Sequence, residues 1–339
     1  MFSLEQYIAA KERAALIDRS TQGKISLTGP DRATFLHGLL TNDIARLTAG
    51  TGTYAAYLTP QGRMISDMRV VESGEEIVLD VEPSVADSLA ERLNTLIFSE
   101  DVQVKNVTQD LGEIGIHGPV AAKLLEGAMG IPAVRLQSLS QYDNVRAPGS
   151  AVTVVRDDAF GVMGFDVYLP ALAAASLVDL LREAGAVRAT EQTAEVLRIE
   201  TGRPRFGVDM DTDTIPLEAG IEDRAISLTK GCYVGQEVIV RVLHRGHGRV
   251  ARKLVHLEVA GDRIPVKDDV IVAAEREIGG ITSAAFSPAT NGPLALGYVQ
   301  RDYVTDGTAV AVKSGGHILQ ARVRQLDKQL GVRRREGEG

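Results

Sequence analysis

Three stretches of the chain bring together residue types that could do chemistry. Lys230-Gly231-Cys232-Tyr233-Val234-Gly235-Gln236-Glu237 holds the only cysteine. The apolar residues that follow (Val238, Ile239, Val240, Val242, Leu243) have helical spacing, so Cys232 is expected in the turn before a helix N-terminus. There the unpaired N–H groups, the helix dipole and a nearby Lys230 would favour a reactive thiolate. The alternative is a small buried apolar side chain in a turn made by its glycines. The second stretch, Gly62-Arg63-Met64-Ile65-Ser66-Asp67, sets a carboxylate in an apolar strand. Asp67 must therefore face solvent, pair with Arg63 or Arg69, or line a cavity. In the third, Arg198-Ile199-Glu200-Thr201-Gly202-Arg203, Glu200 ends a helix, where the dipole disfavours a carboxylate. Two readings stay open for it: an ion pair with Arg198 or Arg203, or a ligand edge with two adjacent N–H donors, such as a pterin or guanine ring.

Composition narrows the field. The chain has 339 residues, ordinary apolar and charged fractions, no Trp and a formal net charge of −8. That charge and the scarcity of aromatic residues argue against nucleic acid as a direct ligand. One cysteine allows no intrachain disulfide, no stretch reaches membrane-spanning length, and no secretory signal opens the chain, so the expectation is a cytoplasmic protein. The run Arg241, His244, Arg245, His247, Arg249, Arg252 and Lys253 reads as a basic patch, and no metal site is expected from its two histidines with Cys232. Phosphate-loop, HExxH and Gly-x-Ser-x-Gly sequences are absent.

The elements that must position these residues follow from periodicity. A helix is expected over Leu4 to Leu16, with Leu4, Ile8, Ala15 and Leu16 buried. Leu27-Thr28-Gly29-Pro30-Asp31 and Ile116-His117-Gly118-Pro119-Val120 each end a strand, break, and open a helix; Pro83 and Pro170 each lead a second helix. Each half thus reads as strand, helix, strand pair, helix, strand. The fold class expected is α+β: a duplicated ferredoxin-like (split βαβ) core followed by a small β-barrel. Short alternating strands from Leu254 to Val323 give the barrel. The expected units are 1–110, 111–245 with the cysteine stretch, 246–330 for the barrel, and a flexible tail at 331–339.

The unbroken Lys-Gly-Cys-Tyr-x-Gly-Gln-Glu stretch resembles the hallmark of the YgfZ family. Phe35-Leu36, Leu40-Thr41-Asn42-Asp43, Gly50, Tyr54, Gly62, Asp67, Arg198-x-Glu200-x-Gly202 and Pro216-x-Glu218 resemble positions of the wider aminomethyltransferase (glycine cleavage T-protein) superfamily. The resemblance implies three domains around a central opening that binds tetrahydrofolate. It also implies support for the assembly or repair of iron–sulfur proteins, tRNA-modifying enzymes among them, with those proteins or their assembly factors as partners. By the same resemblance Glu200 takes the pterin ring, and Arg198, Tyr233 and Lys230 complete the cofactor-binding set. Asp67 faces the one-carbon centre, and Asp67 and Cys232 form the catalytic pair. The aminomethyltransferases carry an Asp-Asp pair where this chain has Ser66-Asp67, and they lack the cysteine stretch. Two alternatives accompany this reading: a folate-dependent aminomethyl-transferring enzyme, and a non-catalytic RNA- or protein-binding scaffold.

Overall fold

The computed structural model describes residues 2–245 and 249–326. Among the described residues the strands form two β-sheets and a closed barrel. The first sheet is antiparallel, with strands in the order Thr51–Leu58, Met64–Glu72, Ile77–Val81, Gly23–Thr28, Gln103–Asn106. Helices Arg32–Leu39 and Ala86–Thr95 pack on it. The second helix buries Ala86, Leu89, Ala90 and Leu93, an i, i+3, i+4, i+7 stripe, against Ile25, Leu27 and Leu79.

The second sheet runs Val187–Arg188, Ala15–Asp18, Leu111–His117, Gly164–Pro170, Thr153–Arg156, Asn144–Arg146. Helices Ala121–Met129, Ala133–Ser138 and Ala174–Glu183 lie along this half of the chain, and Leu125, Leu136 and Leu177 share its core with Ile114, Ile116 and Phe165. The two sheets share one strand order once Ala15–Asp18 is set aside.

The N-terminus differs from expectation. Its helix spans only Leu4–Glu12 and buries Tyr7, Ala9 and Ala10, whereas Leu4 and Ile8 are exposed. The next residues form strand Ala15–Asp18, inserted between Val187–Arg188 and Leu111–His117. The physical reason is burial on both faces: Ala15, Leu16 and Ile17 are covered on either side of the sheet, so the apolar run that looked like a helix end is a central strand. The span expected as the first unit, 1–110, therefore contributes strand Ala15–Asp18 to the other sheet.

The barrel closes through Arg252–Val259, Gly292–Gln300, Arg276–Ser287, Val270–Ala273, Ala309–Ser314 and His317–Gln325. Val255, Leu257, Ile271, Ile281, Val299, Val312 and Val323 fill it. Gly279 is required there, because a Cβ at that position would lie 1.7 Å from the Tyr298 carbonyl oxygen. The side chains of His244, Arg245 and His247, and the expected tail at 331–339, lie outside the described residues. Among those described, no helix is long and apolar enough to cross a membrane.

Candidate functional site

A cavity of ≈ 710 Å³ opens between the sheets, within the range of small-molecule sites. One wall is helix Glu191–Glu200, which starts at an N-cap where the Thr190 hydroxyl accepts from the Thr193 N–H. The stripe Glu191, Ala194, Glu195 and Arg198 faces the cavity, as one side of a 3.6-residue helix must. The opposite wall is the hairpin of Thr51–Leu58 and Met64–Glu72. Ala56 pairs with Asp67 and Tyr54 with Arg69 in its register, so the Tyr54 hydroxyl reaches Asp67 diagonally and donates a short hydrogen bond to Oδ2. Tyr142 stacks on Tyr54 with ring centroids 6.2 Å apart, and the Arg224 guanidinium lies 4.6 Å over the same Tyr54 ring.

Burial pushes the Asp67 carboxyl up to about 6, and the neighbouring Glu82 charge adds to the rise; the Tyr54 hydrogen bond and Arg224 oppose it. A carboxyl tuned to that value exchanges protons near neutral pH, as an acid–base group requires. Ser66, the position next to it, is buried and absent from the cavity lining.

Beneath these groups lies a buried ionic cluster. The Arg69 guanidinium meets Asp157 at 2.9 Å and Glu113 at 2.6 Å, and makes short contacts to Asp80 and Asp166. Lys24, fully buried, donates to the Gln22 carbonyl at 2.8 Å and lies 3.3 Å from Glu113. Arg19 joins Glu113 at 2.8 Å, and Arg203 joins Asp157 at 3.3 Å. Burial, with Asp80 close by, pushes Glu113 up to about 7. Burial acts the same way on Asp157, but Arg203 and Arg69 outweigh it and hold that carboxyl well below its usual range.

Of the residues singled out in the sequence, Asp67 and Arg198 line the cavity. Arg198 donates to the Arg203 carbonyl at 2.6 Å, to Asp209 at 2.7 Å and to Ser283 at 2.8 Å, tying the cavity wall to the barrel. Glu200 does not line it. Two residues on from Arg198, it points to another side of the helix. Its carboxylate accepts from the Tyr7 hydroxyl at 2.9 Å, the Ser287 hydroxyl at 2.6 Å and the Ala289 N–H at 3.2 Å, with Lys11 at 3.7 Å.

The cysteine stretch is also outside the lining. Cys232 is exposed and stands three residues before the Gly235 cap of helix Gln236–Val240, ahead of the turn where the dipole acts. Lys230 Nζ turns inward to the carbonyls of His37 (2.5 Å), Leu40 (2.6 Å) and Asn42 (3.1 Å). Tyr233 is buried in a core with Leu58, Met64 and Ile239. In the basic stretch, Arg252 meets Glu218 at 3.2 Å and Lys253 meets Glu222 at 3.8 Å.

Sequence reasoning passed over Glu195, Glu82 and Tyr142 of the lining. The polar stripe 191/194/195/198 was the available signal for Glu195, and the hairpin turn at Pro60-Gln61-Gly62 was the signal for Tyr54 beside Asp67. Tyr142 and Glu82 come from distant segments and leave no local trace. Among the described residues no group of three or more His, Cys, Asp and Glu is placed to hold a metal ion.

Comparison with known proteins agrees with this architecture. The GCVT N-terminal domain matches residues 2–230, and the glycine cleavage T-protein C-terminal barrel domain matches 252–327, leaving 231–251 outside both. An aminomethyltransferase of Moorella thermoacetica is 30% identical across 95% of this chain and 88% of its own length. One of Desulfitobacterium hafniense (strain DSM 10664 / DCB-2) is 28% identical across 94% and 88%. The crystal structure of glycine cleavage system aminomethyltransferase T from Bartonella henselae has the same fold, with a TM-score of 0.85 over 95% of this chain and 88% of that one at 24% identity. The chain belongs to the GCVT family, the family of the glycine cleavage T-protein.

Proposed function

We propose that the protein binds a reduced folate in the cavity and transfers a one-carbon group there from an aminomethyl donor, with Asp67 as the acid–base group. The observation that carries this reading is Asp67 itself, held near neutral titration against Tyr54 on the wall of a ≈ 710 Å³ cavity. The donor set fits a folate. A pterin edge offers adjacent N–H donors to carboxylates, and Glu191, Glu195 and Glu82 lie on the walls. Tyr54 and Tyr142 offer aromatic surface, and Arg188 offers a cation to a carboxylate tail, while Arg205 is paired with Glu82 at 2.9 and 3.1 Å. The folate, when bound, supplies the amines that accept the one-carbon unit. To form the methylene bridge two folate amines bond the carbon and lose a proton each, while the donor's amine and its carrier atom leave and take a proton each; Asp67 can serve these transfers. Glu195 takes the pterin-anchoring part in this reading, because it lines the cavity with its carboxylate held by Arg198 at 2.9 and 2.5 Å, whereas Glu200 lies outside the lining. The shared strand order of the two sheets supports reading them as a duplicated ferredoxin-like unit with the cavity between the copies.

Titration calorimetry with tetrahydrofolate and an assay for methylene-tetrahydrofolate test the proposal. Asp67→Asn should keep binding while turnover falls about 10²–10⁴-fold. Folate binding without any methylene-tetrahydrofolate formed would end the transfer step.

One observation favours a second reading, the YgfZ-type support of iron–sulfur proteins. Cys232 is exposed on a segment, 231–251, that neither family domain covers. Under it, Cys232→Ala leaves folate affinity unchanged but lowers iron–sulfur enzyme activity in cells lacking the wild-type protein. Full complementation by Cys232→Ala would remove this reading.

A further inference from the structure

Lys230 sits in the cysteine stretch, yet its amine reaches under a different element. It donates to the carbonyls of His37, Leu40 and Asn42, at the C-terminal end of helix Arg32–Leu39, where unpaired carbonyls and the dipole favour a cation. Thr41, between two of these acceptors, and Asn42, itself one of them, bond to residues of the cavity wall. The Thr41 hydroxyl accepts from the Ala56 N–H at 2.8 Å and donates to the Ala225 carbonyl at 2.6 Å. The Asn42 amide donates to the Tyr54 carbonyl at 2.8 Å, the Thr53 hydroxyl at 2.9 Å and the Arg224 carbonyl at 2.9 Å. These bonds clamp the short helix Glu222–Ala225 against strand Thr51–Leu58, with the Arg224 guanidinium over the Tyr54 ring that bonds Asp67.

We propose that Lys230 is a positioning residue for the cavity: through Thr41 and Asn42 it holds Arg224 over Tyr54 and so sets the charge that Asp67 faces. The inference rests on the reading of Asp67 as the acid–base group and gives the cysteine stretch a part in the site without contact to ligand. The groups facing Asp67 are Tyr54, Glu82 and Arg224; those facing Lys230 are Asp43, His37 and the Tyr233 ring, 5.0 Å away.

The test is the titration of Asp67 in the ligand-free protein, followed by NMR on carboxyl-¹³C aspartate and assigned with Asp67→Asn. The wild-type midpoint is expected at about 6. Arg224→Gln removes the cation and should raise the proton affinity of Asp67 about threefold or more. Lys230→Met and Asn42→Ala should raise it in the same direction by at least half as much on a logarithmic scale, and Lys230→Arg should restore the wild-type value. If Lys230→Met fails to fold by circular dichroism, Asn42→Ala and Thr41→Val decide. The inference is overturned if Arg224→Gln leaves the midpoint unchanged, or if it moves the midpoint while folded Lys230→Met or its substitutes match wild type. Tetrahydrofolate binding is measured separately. A wild-type protein that binds none ends the folate reading, while the Asp67 titration still decides whether the clamp exists.

Discussion

At the scale of single residues, Asp67 ties function to stability. Its carboxyl titrates at about 6 in the folded chain against an ordinary 3.8. The folded state therefore holds the proton more tightly, so the contribution is whole below about pH 3.8 and is lost as pH rises through 6. Asp67→Asn removes that loss. Relative to wild type it should gain about 2–3 kcal/mol between pH 4 and pH 7.5, while transfer activity falls. Denaturant midpoints at the two pH values measure this, and an equal difference at both would contradict the burial of an ionised Asp67. Glu200 makes the opposite case. Its carboxylate joins the N-terminal helix through Tyr7 to the Ser287 turn of the barrel. Glu200→Ala should cost about 1–3 kcal/mol of stability by orphaning those donors, and should leave folate affinity within about threefold. Glu195→Gln should instead weaken folate binding at little cost to stability.

At the scale of elements, the helix Glu191–Glu200 decides which of these residues can act. One face lines the cavity, and Ile199 packs with Leu254, Leu294, Leu296 and Tyr298 of the barrel. Asp209, 3% exposed, depends on Arg198 for its charge partner. Arg198→Met leaves a buried carboxylate without a cation and should destabilise the protein by about 3–5 kcal/mol. Because Arg198 also holds both carboxylate oxygens of Glu195 on the cavity wall, at 2.9 and 2.5 Å, folate affinity should fall in the same variant, and calorimetry on protein still folded by circular dichroism would check it. Part of this element was legible in the sequence: the helical run from Thr193 to Glu200, short of its start at Glu191, its end at Thr201-Gly202, and the alternating strands of the barrel. The direction of Glu200 was legible too, since residues two apart on a helix diverge. Ala14 to Asp18 was not legible, because a short apolar run suits a buried strand and a helix end equally until its pairing partner is known. The inward turn of Lys230 was hidden for a related reason: its acceptors are carbonyls, which every residue carries.

At the scale of the whole molecule, the Arg69 cluster joins the two sheets beneath the cavity. Arg69 and Asp80 belong to the first sheet, and Glu113 and Asp166 to strands of the second, so one guanidinium spans the junction. An apolar junction could be as stable or more so. The cavity above is polar, however, and Arg69, Asp80, Asp157 and Arg19 all line it. Charges there serve as floor and as joint together. The halves should accordingly lose protection as one unit when the joint is cut. Arg69→Met leaves Asp80, Asp157, Asp166 and Glu113 around an apolar side chain and should cost about 3–5 kcal/mol. Hydrogen exchange on this variant should then speed in both Ile77–Val81 and Leu111–His117, with barrel strand Arg252–Val259 unchanged. Faster exchange confined to the first sheet would mean that the junction is held by other contacts. Glu113→Gln separates charge from packing. Glu113 titrates at about 7 against an ordinary 4.5, so its contribution is whole below pH 4.5 and is lost through 7. This variant should slow exchange in both strands at pH 8 relative to wild type and lose that advantage by pH 5, because only the ionised form strains the junction.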